Sequence, residues 1–179
     1  MAEPNQYNPQ SSGSRLKPIR TDNDLTNLVY GKLQPQATQI EEVVLGALML
    51  DKDAMAVVLD ILTPDSFYKK PHGVIFEAMM HLFERSQPVD ILTVHEALKK
   101  TGSLDMIGGV GFLVELTNKV ASAANLEFHS RIIAQKHIQR ELIRVSTSTI
   151  SDAFEDTKDV FQMLDETESN LFDITQKNL

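Results

Sequence analysis

The residue types that do chemistry are present in this chain, but their spacing assembles none of the usual constellations. A phosphate-binding loop needs G-x-x-x-x-G-K-[ST], so that backbone N–H groups cradle phosphates and the lysine reaches the terminal ones. Gly31-Lys32 lacks the upstream glycine and runs into Leu33. Gly108, Gly109 and Gly111 follow no predicted strand and read as glycines that let the chain turn at positive φ and pack closely. The five histidines are His72, His81, His95, His129 and His137. No two are spaced i, i+4 and no H-E-x-x-H occurs, which argues against a zinc site. His72, just inside a predicted helix start, is expected to make a structural hydrogen bond. Glu41/Glu42, Asp165/Glu166 and Glu168 read as helix caps and solvated faces, since paired acids for proton transfer need a cleft and a raised pKa. With no cysteine, thiolate metal sites, disulfides and cysteine nucleophiles are excluded. Ser146–Ser151 places hydroxyls inside a predicted helix, where they are expected to bond back to carbonyls and mark a bend or packing point. No catalytic, cofactor or metal residue is therefore assigned.

The elements that would position such groups are all helical. From Leu126 to Phe154 the chain runs without Gly or Pro. Ile138, Leu142 and Val145, continued by Ile150 and Phe154, form an apolar stripe, with Lys136, Arg140 and Arg144 four apart on the other side. An unbroken helix here would be roughly 43 Å long, more than a small domain is wide. After the polar break at Glu155-Asp156-Thr157-Lys158 the period resumes through Val160, Leu164, Leu171 and Ile174, with Phe161 and Phe172 on its shoulder. Two helices across a short polar turn predict an antiparallel hairpin over 126–175, with residues 176–179 starting a linker. Its surplus apolar surface predicts pairing with another subunit, and Ile150, Phe154, Val160, Leu164 and Leu171 are the candidate self-association residues.

Ahead of it, residues 33–125 predict a compact head of about six short helices. Thr38-Gln39-Ile40-Glu41 reads as a capping box opening a buried helix through Leu50. Asp53 is placed as the cap of a second helix through Leu62. Thr63-Pro64 has the N-cap and N1 pattern of a short turn through Phe67, and Lys70-Pro71 starts a helix to about Glu84. Thr93-Val94-His95-Glu96 reads as a second capping box, its helix ending at Thr101-Gly102 with Lys99 and Lys100 in the last turn. Phe112, Leu113 and Leu116 lie on another short helix. No run of period-2 alternation appears, so the fold class is all-α. Residues 1–32 are polar, apart from a Leu25, Leu28, Val29 cluster, and are expected to be a disordered arm.

The formal net charge is −8, which argues against broad nucleic-acid binding by this chain alone, because phosphate contacts need clustered cations. The Lys136, Arg140, Arg144 row is the one basic stripe. Such a row is ordinarily the solvated side of a helix, and an anionic partner surface is the other reading. No apolar run approaches the ~20 residues of a membrane span, and no signal peptide opens the chain. A cytoplasmic protein with no membrane partner is expected.

In order and spacing, a set of residues resembles the N-terminal domain of the bacterial replicative DNA helicase, the DnaB family. They include Pro35-Gln36, Glu41, Val44-Leu45-Gly46, Leu50-Asp51, Phe67-Tyr68, His72, Ile75-Phe76 and Pro88-Val89-Asp90. Further on come Thr93-Val94, Leu98, Gly108-Gly109, Leu113, Leu116, Ala123-Ala124-Asn125 and Arg140-Glu141-Leu142-Ile143. The resemblance covers about Leu33 to Ile174. It departs in a longer N-terminal arm, in Ala121 where the family commonly has Pro, and in the absence of the motor. It implies a helical head and hairpin, hairpins that pair between neighbours, and six such domains in a trimer-of-dimers collar. It also implies docking of the C-terminal domain of primase, and possible contact with the helicase loader. ATP and Mg belong to the absent motor, and DNA is reached only through the full-length ring. Phe112, Ile143, Arg140 and Arg144 are the candidate primase-binding residues, although Phe112 and Ile143 are of types that more often pack inward. The other classes in play are a helical hydrolase with acids in an interhelical cleft and a stand-alone DNA-binding module.

Overall fold

The computed structural model describes residues 33–120 and 125–178. The polar arm with its Leu25, Leu28, Val29 cluster, and Ala121, lie outside them. The regular elements of the described residues are all helices, with no strand among them. The head comprises α1 (Thr38–Leu50), α2 (Ala54–Val58), a 3-10 turn (Pro64–Ser66), α3 (Lys70–Glu84), α4 (Ile91–Lys100) and α5 (Val110–Asn118). The hairpin comprises α6 (Leu126–Ala153) and α7 (Val160–Asn178).

The head's core is a single cluster centred on Val44, Leu45 and Leu48 of α1, Ile75, Phe76 and Met79 of α3, and Leu113 and Leu116 of α5. Helix α1 is buried nearly all round because α3, α5 and α6 all pack on it. Gly46 allows the closest of these approaches. A Cβ there would fall 2.2 Å from the Leu116 carbonyl oxygen, a distance no real side chain tolerates. Gly108 and Gly109 both take positive φ, 97° and 79°, to turn the chain into α5, as their types predict.

Local chemistry sets most element boundaries. Thr63 and Ser66 form a reciprocal cap on the 3-10 turn, and Lys70-Pro71 opens α3 as expected. Gly102 at φ 70° follows the α4 terminus, with Lys99 and Lys100 in its last turn. Three expectations are corrected. The cap of α4 is Asp90, whose Oδ1 accepts from the N–H groups of Leu92 and Thr93 at 2.9 Å each; Thr93 is the third helical residue, not the cap. Asp is an equally good cap, and the helix begins one turn earlier by using it. The helix after Asp53 ends at Val58, with turns covering Leu59 to Ile61, and Asp53 makes no side-chain cap. Thr38 is not a cap either: α1 follows Ala37, and Glu41 turns into the protein.

Helix α6 lays Leu126, Ser130 and Ile133, one face at i, i+4, i+7, against the head, and further along contacts α7 instead. The hairpin turn is closed by Asp159, whose Oδ1 accepts from Phe161 N–H at 2.9 Å and Gln162 N–H at 3.0 Å, and by a Lys158–Asp152 ion pair. Between the two helices the Thr149 and Thr167 hydroxyls meet at 3.2 Å, beside buried Val145 and Thr147. Thr147 and Thr149 donate back to the Ile143 and Val145 carbonyls, as expected for that hydroxyl run. Small side chains in the seam let α6 and α7 approach, and apart from Val145 and Ile174 the hairpin's larger apolar groups beyond the head stay outside it.

Candidate partner interface

Where the hairpin meets the head, four residues form a polar node whose centre, Glu41 and His72, is buried. The Glu41 carboxylate accepts from Tyr68 N–H at 2.8 Å and contacts His72 Nδ1 at 2.7 Å. Glu41 is 1% exposed and His72 fully buried. A carboxylate only accepts, so the proton of this bond sits on His72 Nδ1. Phe112 covers the imidazole, stacked at 5.9 Å and 14°. From α6, the Arg140 guanidinium donates to the carbonyls of Pro35 at 3.0 Å and Ser66 at 2.7 Å, and lies 5.7 Å over the Tyr68 ring. Burial pulls its pKa below the ordinary guanidinium value, against the opposing pull of Glu41, Glu141 and Tyr68. Arg140 thus ties α6 to the head's first residues and to the 3-10 turn in one bidentate grip, a geometry lysine cannot copy.

The structural role expected of His72 is what the structure gives it. The reading of Glu41 as a cap is overturned. Glu41 precedes Val44, Leu45 and Leu48 by three, four and seven residues, which puts it on the buried face of α1, and this spacing was the available signal. The solvated row is corrected as well. Arg144 is exposed and pairs with Glu141 at 3.0 Å, and Lys136 reaches Gln139, but Arg140 is half-buried and engaged within the chain. Periodicity could not distinguish the three, since only tertiary contact supplies the carbonyls that Arg140 binds.

Glu42, one residue on, faces the other way and meets Lys119 at 2.9 Å and Lys69 at 3.7 Å. Burial raises its pKa, but the Lys119 hydrogen bond and the two ammonium charges outweigh this and hold it below the usual carboxylate value.

The candidate self-association residues all lie exposed on the hairpin. Phe154 is 85% exposed, Val160 60% and Leu164 58%, with Ile150 and Leu171 also open, and Phe161 and Phe172 beside them. Leu142 is exposed, and of the stripe Val160, Leu164, Leu171 and Ile174 only Ile174 is buried; α7 turns Thr167 and Ile174 toward α6. Ile143 is half-buried on α6 one turn beyond Arg140, while Phe112 sits on α5 at the edge of the head's core. The proposed primase residues thus fall on different elements, and two of them, Phe112 and Arg140, take part in the buried node. Among the described residues no three His, Asp or Glu side chains gather as a metal site, and no helix is long and apolar enough to cross a membrane.

Fold and surface together define an all-helical head-and-hairpin domain with a row of uncovered apolar groups along the hairpin. Residues 33–135 match the DnaB-like helicase N terminal domain, and the chain belongs to that family. It is 44% identical over 149 residues to the replicative DNA helicase DnaB of Rhodothermus marinus, covering 83% of this chain and 16% of that one. It is 35% identical over 153 residues to the replicative DNA helicase DnaC of Bacillus subtilis, covering 86% of this chain and 34% of that one. The chain therefore spans between 16% and 34% of the length of these relatives. Among solved structures it resembles the N-terminal domain of DnaB helicase from Mycobacterium tuberculosis, with a TM-score of 0.75 at 33% identity over 79% of this chain and 99% of that one. It also resembles a DnaB-like replicative helicase whose interactions with primase were determined, with a TM-score of 0.63 at 25% identity over 77% of this chain and 31% of that one.

Proposed function

We propose that this chain is the assembly and partner-docking domain of a replicative DNA helicase, and that it performs no catalysis of its own. The observation that carries the proposal is the row of large apolar side chains left uncovered along α6 and α7. A hairpin that exposes Phe154, Phe161, Leu164 and Phe172 while seating a threonine pair in its inner seam presents the anchors of an intermolecular contact. In this reading the hairpins of two copies pair, and three such dimers form the collar of a hexameric ring whose ATP- and Mg-dependent motor lies elsewhere in the protein. The solved helicase that interacts with primase supplies the second partner. The C-terminal domain of primase would dock on the hairpin and the adjoining head near Phe112 and Ile143, with Arg144 on the rim. Contact with the helicase loader follows from the same collar, and DNA is reached through the complete ring in the cytoplasm.

The test is the solution mass of the chain across concentrations, compared with a Leu164→Asp/Leu171→Asp variant. Both positions are exposed, so the head stays folded in the variant and its mass falls to that of one chain. A variant that keeps the mass of an oligomeric parent would remove the hairpin as the interface. A strictly monomeric parent at high concentration would defeat the proposal for the isolated chain. An ATPase assay on the chain is expected to read background.

A further inference from the structure

A second surface lies on the head, on the groove between α3 and α4. This groove encloses about 470 Å³, within the ~300–1,000 Å³ typical of pockets that hold a small ligand or a few side chains. Leu82, Pro88, Leu92 and Ala97 give it apolar walls, and Arg85 and Lys100 line it with positive charge. The wall at Gln87-Pro88 is fixed by the chain reversal after α3. Ser86 takes the left-handed conformation at φ 55°, and the Ser86 and Gln87 N–H groups bond back to Phe83 and Leu82 carbonyls at 2.9 Å each. Leu92, 72% exposed, stands at the groove with nothing covering it. Glu96 also lines the groove and contacts His95 Nδ1 at 3.4 Å, and Glu84 beside it contacts His81 Nδ1 at 3.3 Å, so cations outnumber carboxylates along the lining by Arg85 and Lys100 to Glu96. Among the described residues no carboxylate pairs with Arg85 or Lys100.

We infer that this groove is a docking site for a short acidic amphipathic segment of a partner protein. The apolar walls take one or two aliphatic anchors, and carboxylates flanking them pair with Arg85 and Lys100. Both halves of that complementarity are needed. Apolar walls alone would accept any hydrophobic segment, and two exposed cations alone would bind weakly to any anion. The net charge of −8 repels a large acidic domain, so the occupant is a segment whose negative charge is concentrated where these two cations stand. The site is separate from the hairpin and does not depend on the docking proposed there.

The test uses the full 179-residue chain and a fluorescein-labelled synthetic helical peptide. The peptide carries Leu at i, i+3, i+4 and i+7, with Glu at the flanking positions, and binding is read by anisotropy. Two companion peptides replace the Glu residues by Lys or the Leu residues by Ala. The Leu/Glu peptide is expected to bind at least ~10-fold more tightly than either companion, since each lacks one half of the complementarity. Arg85→Glu/Lys100→Glu should lose that binding and gain affinity for the Leu/Lys peptide. Leu92→Asp, a second variant at an exposed position, should weaken the Leu/Glu peptide without the charge reversal. Equal binding of the three peptides would overturn the inference. So would variants that are folded by circular dichroism and bind as the parent does. Binding that appears only when residues 1–32 are removed would assign the groove to the chain's own N-terminal residues and overturn the partner reading.

Discussion

Replacing Glu41 by alanine removes two acceptors at once from the interior. The part-buried Tyr68 N–H and the fully buried His72 Nδ1–H, bonded at 2.8 and 2.7 Å, both lose their partner. Each orphaned buried donor costs roughly 1–3 kcal/mol, and the space vacated by the carboxylate adds to that. The expected loss is about 3–5 kcal/mol, a large part of the ~5–15 kcal/mol that holds a typical domain. For a chain of this size it lowers the melting midpoint by roughly 10 °C. The assay is thermal or urea unfolding at fixed protein concentration, because any self-association adds to apparent stability. Glu41→Gln provides the calibration. Its oxygen can keep the Tyr68 bond, but its NH2 then faces His72, whose proton must move to Nε2, a buried atom without a partner. It should lose about 1–2 kcal/mol. A double-mutant cycle with His72→Ala should return a coupling of ~1 kcal/mol or more, because the two side chains share one bond. A Glu41→Ala variant within ~1 kcal/mol of the parent, or strictly additive losses in the cycle, would refute the idea that the node holds this end of the head together.

Gly46→Ala should destabilise the head by about 1–3 kcal/mol or more, since the new methyl group meets the Leu116 backbone, which cannot swing aside, as well as the Val120 side chain; an unchanged urea midpoint would mean that α1 and α5 are not in such close contact. Glu42 gives an acid-side signature. Its folded pKa lies below its unfolded value, so its contribution is present above about pH 4.3 and is lost as pH falls through the folded pKa. Glu42→Gln should therefore narrow the gap in melting midpoint between neutral and acid pH, and an unaltered gap would remove Glu42 from the account. For the proposed primase contact, Phe112→Ala and Ile143→Ala should each weaken binding to the primase C-terminal domain by roughly 1–3 kcal/mol. A melting curve must accompany each titration, because Phe112 also stacks on His72. Normal affinity in folded variants would take both residues off the partner surface.

The sequence by itself determined the helical content, nearly every helix, and the division into head and hairpin. It did so because these depend on local quantities: the apolar period of the helices, the Pro at the start of α3, the Gly after α4, and the polar break before Lys158. It also placed the exposed apolar row on the hairpin, though it put Ile174, which is buried, on the same stripe. A helical period reveals that a stripe exists, but not whether its neighbour is the next helix or another molecule. Capping was legible only as a menu, since Asp90 and Thr93 are both competent and the packing of α4 chose between them. The polar node was decided by tertiary structure alone. Glu41, Tyr68, His72 and Arg140 come from α1, the loop before α3, α3 itself and α6, and each has an ordinary local explanation as cap, surface aromatic, helix-start histidine or solvated cation. Only folding brings a carboxylate, two donors and a guanidinium within reach of one another around the buried Glu41–His72 pair, where an unbonded polar group is costly.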